Sequence, residues 1–187
     1  AEQYDLKVHL RAPTGRAAKR LAVASHMDAD TIHKALEAEK REDGGTAFSR
    51  DESDPLEEDL IIVDEASMMD ISLFYHLLSA LKEEARLILV GDVDQLPPVG
   101  PGTPLKSIIA WGKVSVTKLK HIFRQKEGSG IIENAALIRE GNMCIPDEGG
   151  EFKILPVWSE EEAFDTVMNL CRLLHYGEGK EKMALQV

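Results

Sequence analysis

Cysteine is scarce in this chain. Cys144 and Cys171 lie far apart in sequence without metal-ligand spacing, and each reads as a small core or surface residue with no assigned role. Long apolar runs are missing too. None approaches the roughly 18 residues that a membrane span needs, and no basic-then-apolar leader pattern opens the chain, so a reducing cytosol is the expected setting. Basic residues are the minority, 22 Lys and Arg against 33 Asp and Glu, and the formal net charge of -11 argues against a coat protein that relies on a broad basic surface. A local track for phosphates remains open. Arg11, Arg16, Lys19 and Arg20 form the one tight basic cluster, which reads either as such a track or as a solvated helix face, while the acids concentrate between Glu37 and Glu65.

The chain does have the material for a folded α/β domain. Its 187 residues, 43% hydrophobic and 29% charged, suffice for one domain with a real core or a domain plus a piece of another. The organising stretch is Asp59 to Asp70. Leu60-Ile61-Ile62-Val63 is an uninterrupted apolar run, suited to a strand buried on both faces of a parallel sheet. Two acids, Asp64 and Glu65, follow at its carboxyl end, where open α/β sheets hold ligands. One acid there can hold a Mg²⁺ bridging nucleotide phosphates while its neighbour takes a proton from an attacking water. The alternative is that these are loop acids capping the next helix, a task Ser67 and Asp70 could also perform.

Upstream, Leu6 to Leu10 alternates like a strand and turns at Pro13-Thr14-Gly15 into a helix over Arg16 to Met27. Thr14 is a plausible N-cap, and the free N–H groups of that helix start suit a phosphate. Asp30 or Thr31 opens a second helix to about Lys40, on which His33 is a minor contact candidate. From Arg41 to Asp59 the composition turns to Gly, Asp, Glu and Pro, an excursion from the sheet with a short hairpin around Thr46-Ala47-Phe48.

Downstream, Ile71 to Lys82 has helical apolar spacing, and Arg86 to Val90 is another strand. It runs into Gly91-Asp92-Val93-Asp94-Gln95-Leu96-Pro97-Pro98-Val99-Gly100, in which Gly91 permits close backbone approach and Gln95 can orient a water or sense a γ-phosphate oxygen. Further helices are expected near Pro104 to Trp111, Gly130 to Glu140 and Glu160 to Tyr176, with strands at Val114 to Val116 and Phe152 to Leu155. Strands separated by helices make the fold class α/β with a mainly parallel sheet.

A phosphate loop is missing. Gly100 to Ser107 imitates one, but Leu105 stands where the second Gly must be and Pro104 removes an amide donor. No other stretch fits G-x-x-x-x-G-K-[ST]. Either the chain is not an ATPase, or it begins just downstream of that loop; its abrupt opening on a strand favours the second.

Taken together, Ala12 to Leu21, Thr31-Ile32-His33, Leu60 to Met68, Leu87 to Gly100 and Ile122-Phe123-Arg124-Gln125 resemble, in order and spacing, RecD-like superfamily 1 helicases. That family includes the alpha subunit of bacterial exodeoxyribonuclease V. The resemblance implies a RecA-like P-loop NTPase core in a bacterial cytoplasmic protein that couples ATP and Mg²⁺ to movement on single-stranded DNA in recombination or repair. It also implies that residues 1-150 are the first motor domain without its phosphate loop, with a short insertion at about 41-59. Residues 151-187 would end that domain and begin the second. Asp64 would hold Mg²⁺ and contribute to ATP binding, and Glu65 would activate the hydrolytic water. Gln95 and Arg124 would meet the γ-phosphate, both in binding and in catalysis. Pro13, Thr14, Gly15 and Arg16 would contact the strand, with His33 nearby. The isolated chain is expected to be inactive. Alternatives are a degenerate motor domain that docks other subunits of a nuclease-helicase complex, and a related motor acting on RNA or in conjugative transfer.

Overall fold

The computed structural model describes residues 6–41, 44–119, 129–146 and 152–176. The chain divides into two units, Ala1–Leu119 and Lys120–Val187.

The first unit is built on a four-stranded parallel sheet. Its strands are β1 (Val8–Ala12), β2 (Ala29–Thr31), β5 (Leu60–Val63) and β6 (Arg86–Leu89), in the order β2-β1-β5-β6. The expected mainly parallel α/β class is what forms. Helices α1 (Gly15–Ser25), α2 (Ile32–Ala35), α3 (Ile71–Ser79) and α4 (Pro104–Trp111) connect and cover the strands. Register aligns Val8 with Leu60 and Leu60 with Arg86. By alternation, one face then carries Ile61 and Val63, which pack with Ile32, Leu36, Met69, Leu73, Phe74, Leu77 and Leu105 in the main core. Ala12 on the other face packs on Ala17 and Ala18 of α1, where small residues let the helix lie close.

Side-chain caps fix the helix starts. Thr14 accepts from Ala17 N at 3.2 Å, Thr31 from Lys34 N at 3.1 Å and Asp70 from Leu73 N at 2.8 Å. Of the capping candidates after the central strand, Asp64, Glu65, Ser67 and Asp70, it is Asp70 that caps α3.

Several boundaries differ from expectation. The helix from Thr31 stops at Ala35 instead of reaching Lys40, because Glu37 adopts a left-handed backbone with φ 53°. Residues Ala38–Lys40 then become β3, antiparallel to β4 (Thr46–Phe48), so the expected hairpin forms but starts earlier. Phe48 stacks against His76 of α3 with ring centroids 4.5 Å apart, tying the hairpin to the core. No strand forms at Val114 to Val116 or Phe152 to Leu155. These short apolar runs find no pairing strand among the described residues.

The amino-terminal edge of the sheet is held by ions. Lys7 Nζ lies 3.0 Å from Glu57 Oε2, Lys82 pairs with Asp59, and Asp59 Oδ2 accepts from Lys7 N at 2.8 Å.

In the second unit, α5 (Gly130–Arg139) buries Asn134, whose amide donates to Ile145 O and whose oxygen accepts from Ile145 N. Helix α6 spans Glu160–Tyr176, the predicted range. Its start is fixed by Ser159 Oγ, which accepts from Glu162 N, while the Glu162 carboxylate accepts from Trp158 N.

Candidate active site

All strands of a parallel sheet end on one side, and most of the candidate residues lie just past those ends. Pro13, Thr14, Gly15 and Arg16 follow β1; His33 follows β2; Asp64 and Glu65 follow β5; Gln95 lies on the segment after β6. Arg124 lies outside the described residues, so the structure gives no position for it.

The β1 and β5 ends are tied directly. Asp64 N donates to Arg11 O at 2.9 Å, and Val90 N donates to Val63 O at 2.8 Å, so the segments carrying Thr14, Asp64 and Gly91 are extensions of one hydrogen-bonded ladder. The Asp64 carboxylate is partly exposed and has no side-chain partner among the described residues. Glu65 has a left-handed backbone, φ 54°, which costs a non-glycine residue roughly 1 kcal/mol and starts a single 3-10 turn, Ala66–Met68. Its carboxylate reaches back to α1: Arg20 Nη2 lies 3.6 Å from Glu65 Oε1. Beneath the acids, Ala66 N donates to Val90 O at 2.8 Å, and the Ser67 hydroxyl is buried without a hydrogen-bond partner among the described residues.

The loop after β6 is pinned at both ends. A Cβ on Gly91 would lie 2.9 Å from Ser67 N and 2.9 Å from a Leu105 methyl, which explains the glycine. A Cβ on Gly100 would lie 1.9 Å from Asp70 Oδ2, and Ile71 N donates to Pro101 O at 2.9 Å. Gly100 to Ser107 is thus packed against the α3 cap and runs into α4, which agrees with its rejection as a phosphate loop. Between the pins Gln95 is exposed, its N–H donating to Asp92 O at 3.3 Å.

The basic cluster divides. Arg16, Lys19 and Arg20 stand exposed along one face of α1, where with Gly15, Val23 and Ala24 they line a shallow groove. Arg11 does not join them. It is buried on the sheet, paired with Glu58, with His9 Nδ1 at 3.1 Å from its guanidinium and Asp30 Oδ2 at 3.8 Å. Adjacency in sequence suggested a shared surface; strand alternation, which puts Arg11 on the face of His9 and Ile61, is the signal that separates it. His33 is exposed, its ring 5.9 Å from Phe48.

Comparison with known proteins completes the description. A family model described as an AAA domain matches residues 1–101. The chain is 42% identical over 136 residues to the ATP-dependent RecD2 DNA helicase of Deinococcus radiodurans, a match covering 72% of this chain and 18% of that protein. It is 32% identical over 166 residues to the RecBCD enzyme subunit RecD of Mycolicibacterium smegmatis, covering 78% of this chain and 29% of that one. The chain thus spans less than a third of the length of these relatives.

Among solved structures, a Pif1 helicase from Bacteroides in complex with ADP-AlF3 and ssDNA aligns over 93% of this chain and 48% of its own, with TM-score 0.50 and 18% identity. A Pif1 helicase studied for DNA unwinding at forked dsDNA aligns over 76% and 40%, with TM-score 0.50 and 22% identity. At those identities the likeness concerns the fold. No helix among the described residues is long and apolar enough to cross a membrane. With the family match over the sheet and both strand-end motifs, and the sequence likeness extending beyond it, the chain belongs to the AAA domain family and is RecD-like within it.

Proposed function

We propose that this chain is the core of an ATP-driven DNA translocase or helicase that moves on single-stranded DNA in recombination or repair, and that hydrolysis belongs to a longer polypeptide. The observation that carries this reading is the convergence on one sheet edge of Asp64-Glu65, the Gly91 to Gly100 loop and the Thr14-capped start of α1. In this reading residues 1-150 act as the first motor domain and residues 151-187 lead into the second. The chain contains no G-x-x-x-x-G-K-[ST], so a phosphate-gripping loop must come from elsewhere in that polypeptide.

The residues fit a Mg²⁺-nucleotide. Mg²⁺ keeps several waters and takes one or two carboxylates plus phosphate oxygens, and the Asp64 carboxylate has no side-chain partner among the described residues to compete with that role. The ion, when bound, neutralises charge on the β- and γ-phosphates. Glu65 accepts the proton of the attacking water, Gln95 orients that water or a γ-phosphate oxygen, and Arg124 offsets the charge that develops in the transition state. Pro13, Thr14, Gly15 and Arg16 hold a strand phosphate at the α1 start, where free N–H groups and a guanidinium coincide, and His33 flanks that track.

The test uses the full-length protein. Mg·ATP hydrolysis should be stimulated by a single-stranded oligonucleotide, and Glu65→Gln should lower kcat by about 100-fold or more, the range expected for loss of a general base. Calorimetry should detect Mg·ATP binding that Asp64→Ala weakens. Hydrolysis surviving Glu65→Gln overturns the assignment of the base. Absence of nucleotide binding by the full-length protein overturns the motor reading and leaves a docking module of a nuclease-helicase complex.

A further inference from the structure

We propose that Arg20 is a latch on Glu65: it pairs with the acid while no nucleic acid is bound, and a strand phosphate draws it away, so that hydrolysis waits for the strand. This rests on the reading of Glu65 as the water-activating acid.

Four observations carry it. First, the ion-pair partner of Glu65 among the described residues is Arg20, with Nη2 3.6 Å from Oε1. The guanidinium draws the carboxylate back toward α1, and an acid oriented there is not aimed at a water aligned on a phosphorus atom. Second, the pair is open to exchange. The Arg20 side chain is 63% exposed and that of Glu65 25%, so the guanidinium can leave without unpacking the core, and exposed pairs of this kind are weak.

Third, Arg20 stands on the phosphate side of the molecule. Arg16 and Arg20 are four residues apart on α1 and share one face, together with Lys19. Arg16 and Lys19 have no ion-pair partner among the described residues, so Arg20 alone of the three is held by an acid. A strand phosphate seated at Arg16 comes within reach of the next turn, and a phosphate offers guanidinium a bidentate, charge-assisted partner that a single oxygen at 3.6 Å does not. Fourth, the left-handed backbone of Glu65 fixes where its side chain starts, φ 54°, so the acid need only change rotamer when it is released.

The chemistry balances without further reactants. Released Glu65 takes one proton from water as the water oxygen bonds to the γ-phosphorus and the bond to the β,γ-bridging oxygen breaks, giving ADP and inorganic phosphate. With Arg20 drawing Glu65 toward α1, the carboxylate is turned away from that proton.

The experiment measures Mg·ATP hydrolysis by the full-length protein, with and without a saturating oligo-dT, for wild type, Arg20→Ala, Arg20→Lys, Glu65→Gln and the Arg20→Ala/Glu65→Gln double variant. Arg20→Ala should raise the strand-free rate by about two- to five-fold, the span an exposed ion pair commands, and lower the stimulation ratio to match. Its strand affinity should lose about 0.7 from the slope of log K against log salt, as expected for one lost phosphate contact. Arg20→Lys keeps the charge but not the bidentate fork, so it should hold the strand-free rate near wild type while its stimulation by the strand falls short of the wild-type ratio, and the double variant should be as inactive as Glu65→Gln. A strand-free rate unchanged or lowered in Arg20→Ala, with Glu65→Gln inactive, overturns the latch alone. Strand-stimulated hydrolysis surviving Glu65→Gln overturns the reading on which it rests.

Discussion

Gly91 has no room for a methyl group. The nearest atoms to a Cβ there are a backbone nitrogen of the turn beneath Glu65 and a Leu105 methyl, both at 2.9 Å, and the nitrogen cannot move without shifting that turn. Gly91→Ala should therefore cost about 1–3 kcal/mol by overpacking, measured as a lower urea midpoint of the folded chain. Gly15→Ala is the matched control, since nothing lies within 4 Å of its Cβ, and it should leave the midpoint unchanged or slightly raised. The two glycines look alike in sequence, each following a strand. Only tertiary packing distinguishes them, although the need for close approach at Gly91 was legible from its place at the end of an apolar run.

At the scale of elements, the Arg11–Glu58 pair joins β1 to the segment that enters β5. Both side chains are 9% exposed, so removing one partner strands a buried charge. Arg11→Met should destabilise the chain by about 3–5 kcal/mol, while Arg11→Met combined with Glu58→Leu should recover much of that loss; a double-mutant cycle in urea measures the difference. A single variant as stable as wild type would contradict the burial.

The same elements show what sequence can and cannot convey. Leu60 to Val63 was legible as a strand from four apolar residues in a row, but burial alternates along it, with Ile61 and Val63 buried and Leu60 and Ile62 half-buried, so it is not buried equally on both faces. The helix Glu160–Tyr176 was legible because its period is long and its start carries an exposed Ser159-Glu162 cap. Strand β2 was not, since Ala29-Asp30-Thr31 has no apolar pattern and exists through its register with Leu10 to Ala12. The turn at Glu37 was hidden as well. A glutamate gives no hint of a left-handed backbone, and the ion pair of Glu37 with Arg50, 2.9 Å, joins residues thirteen apart. Among candidate site residues, the strand-end acids and caps were readable as local patterns, whereas the pairing of Arg20 with Glu65 required the fold.

For the molecule as a whole, the ion pairs at the amino-terminal sheet edge give stability a pH signature. The Lys82 ammonium, aided by the Lys7 backbone N–H, holds the Asp59 carboxyl below its ordinary value, and Lys7 does the same to Glu57. A lowered folded-state pKa stabilises above the unfolded value and is lost as pH falls through the folded one. The Lys82→Met variant should therefore be less stable than wild type at neutral pH, and the gap should close as pH falls below about 4. Lys7, raised by Glu57, has the opposite sign: its contribution is complete at neutral pH and fades as pH climbs through the raised value, above about 10. Urea melts across pH measure both ends, and a Lys82→Met gap that persists in acid would contradict the pairing.

The separation of the two sheet edges has a use for anyone wishing to watch this molecule operate. Every strand-end candidate with a described position lies at one end of the strands, while the opposite edge, around Glu83 and Glu84, is exposed beside the Lys7–Glu57 and Lys82–Asp59 pairs. A dye or surface tether attached through a cysteine placed there would sit a strand length away from phosphate and nucleic-acid strand. With Cys171 the exposed native thiol and Cys144 half-buried, two substitutions would clear the background for single-molecule labelling.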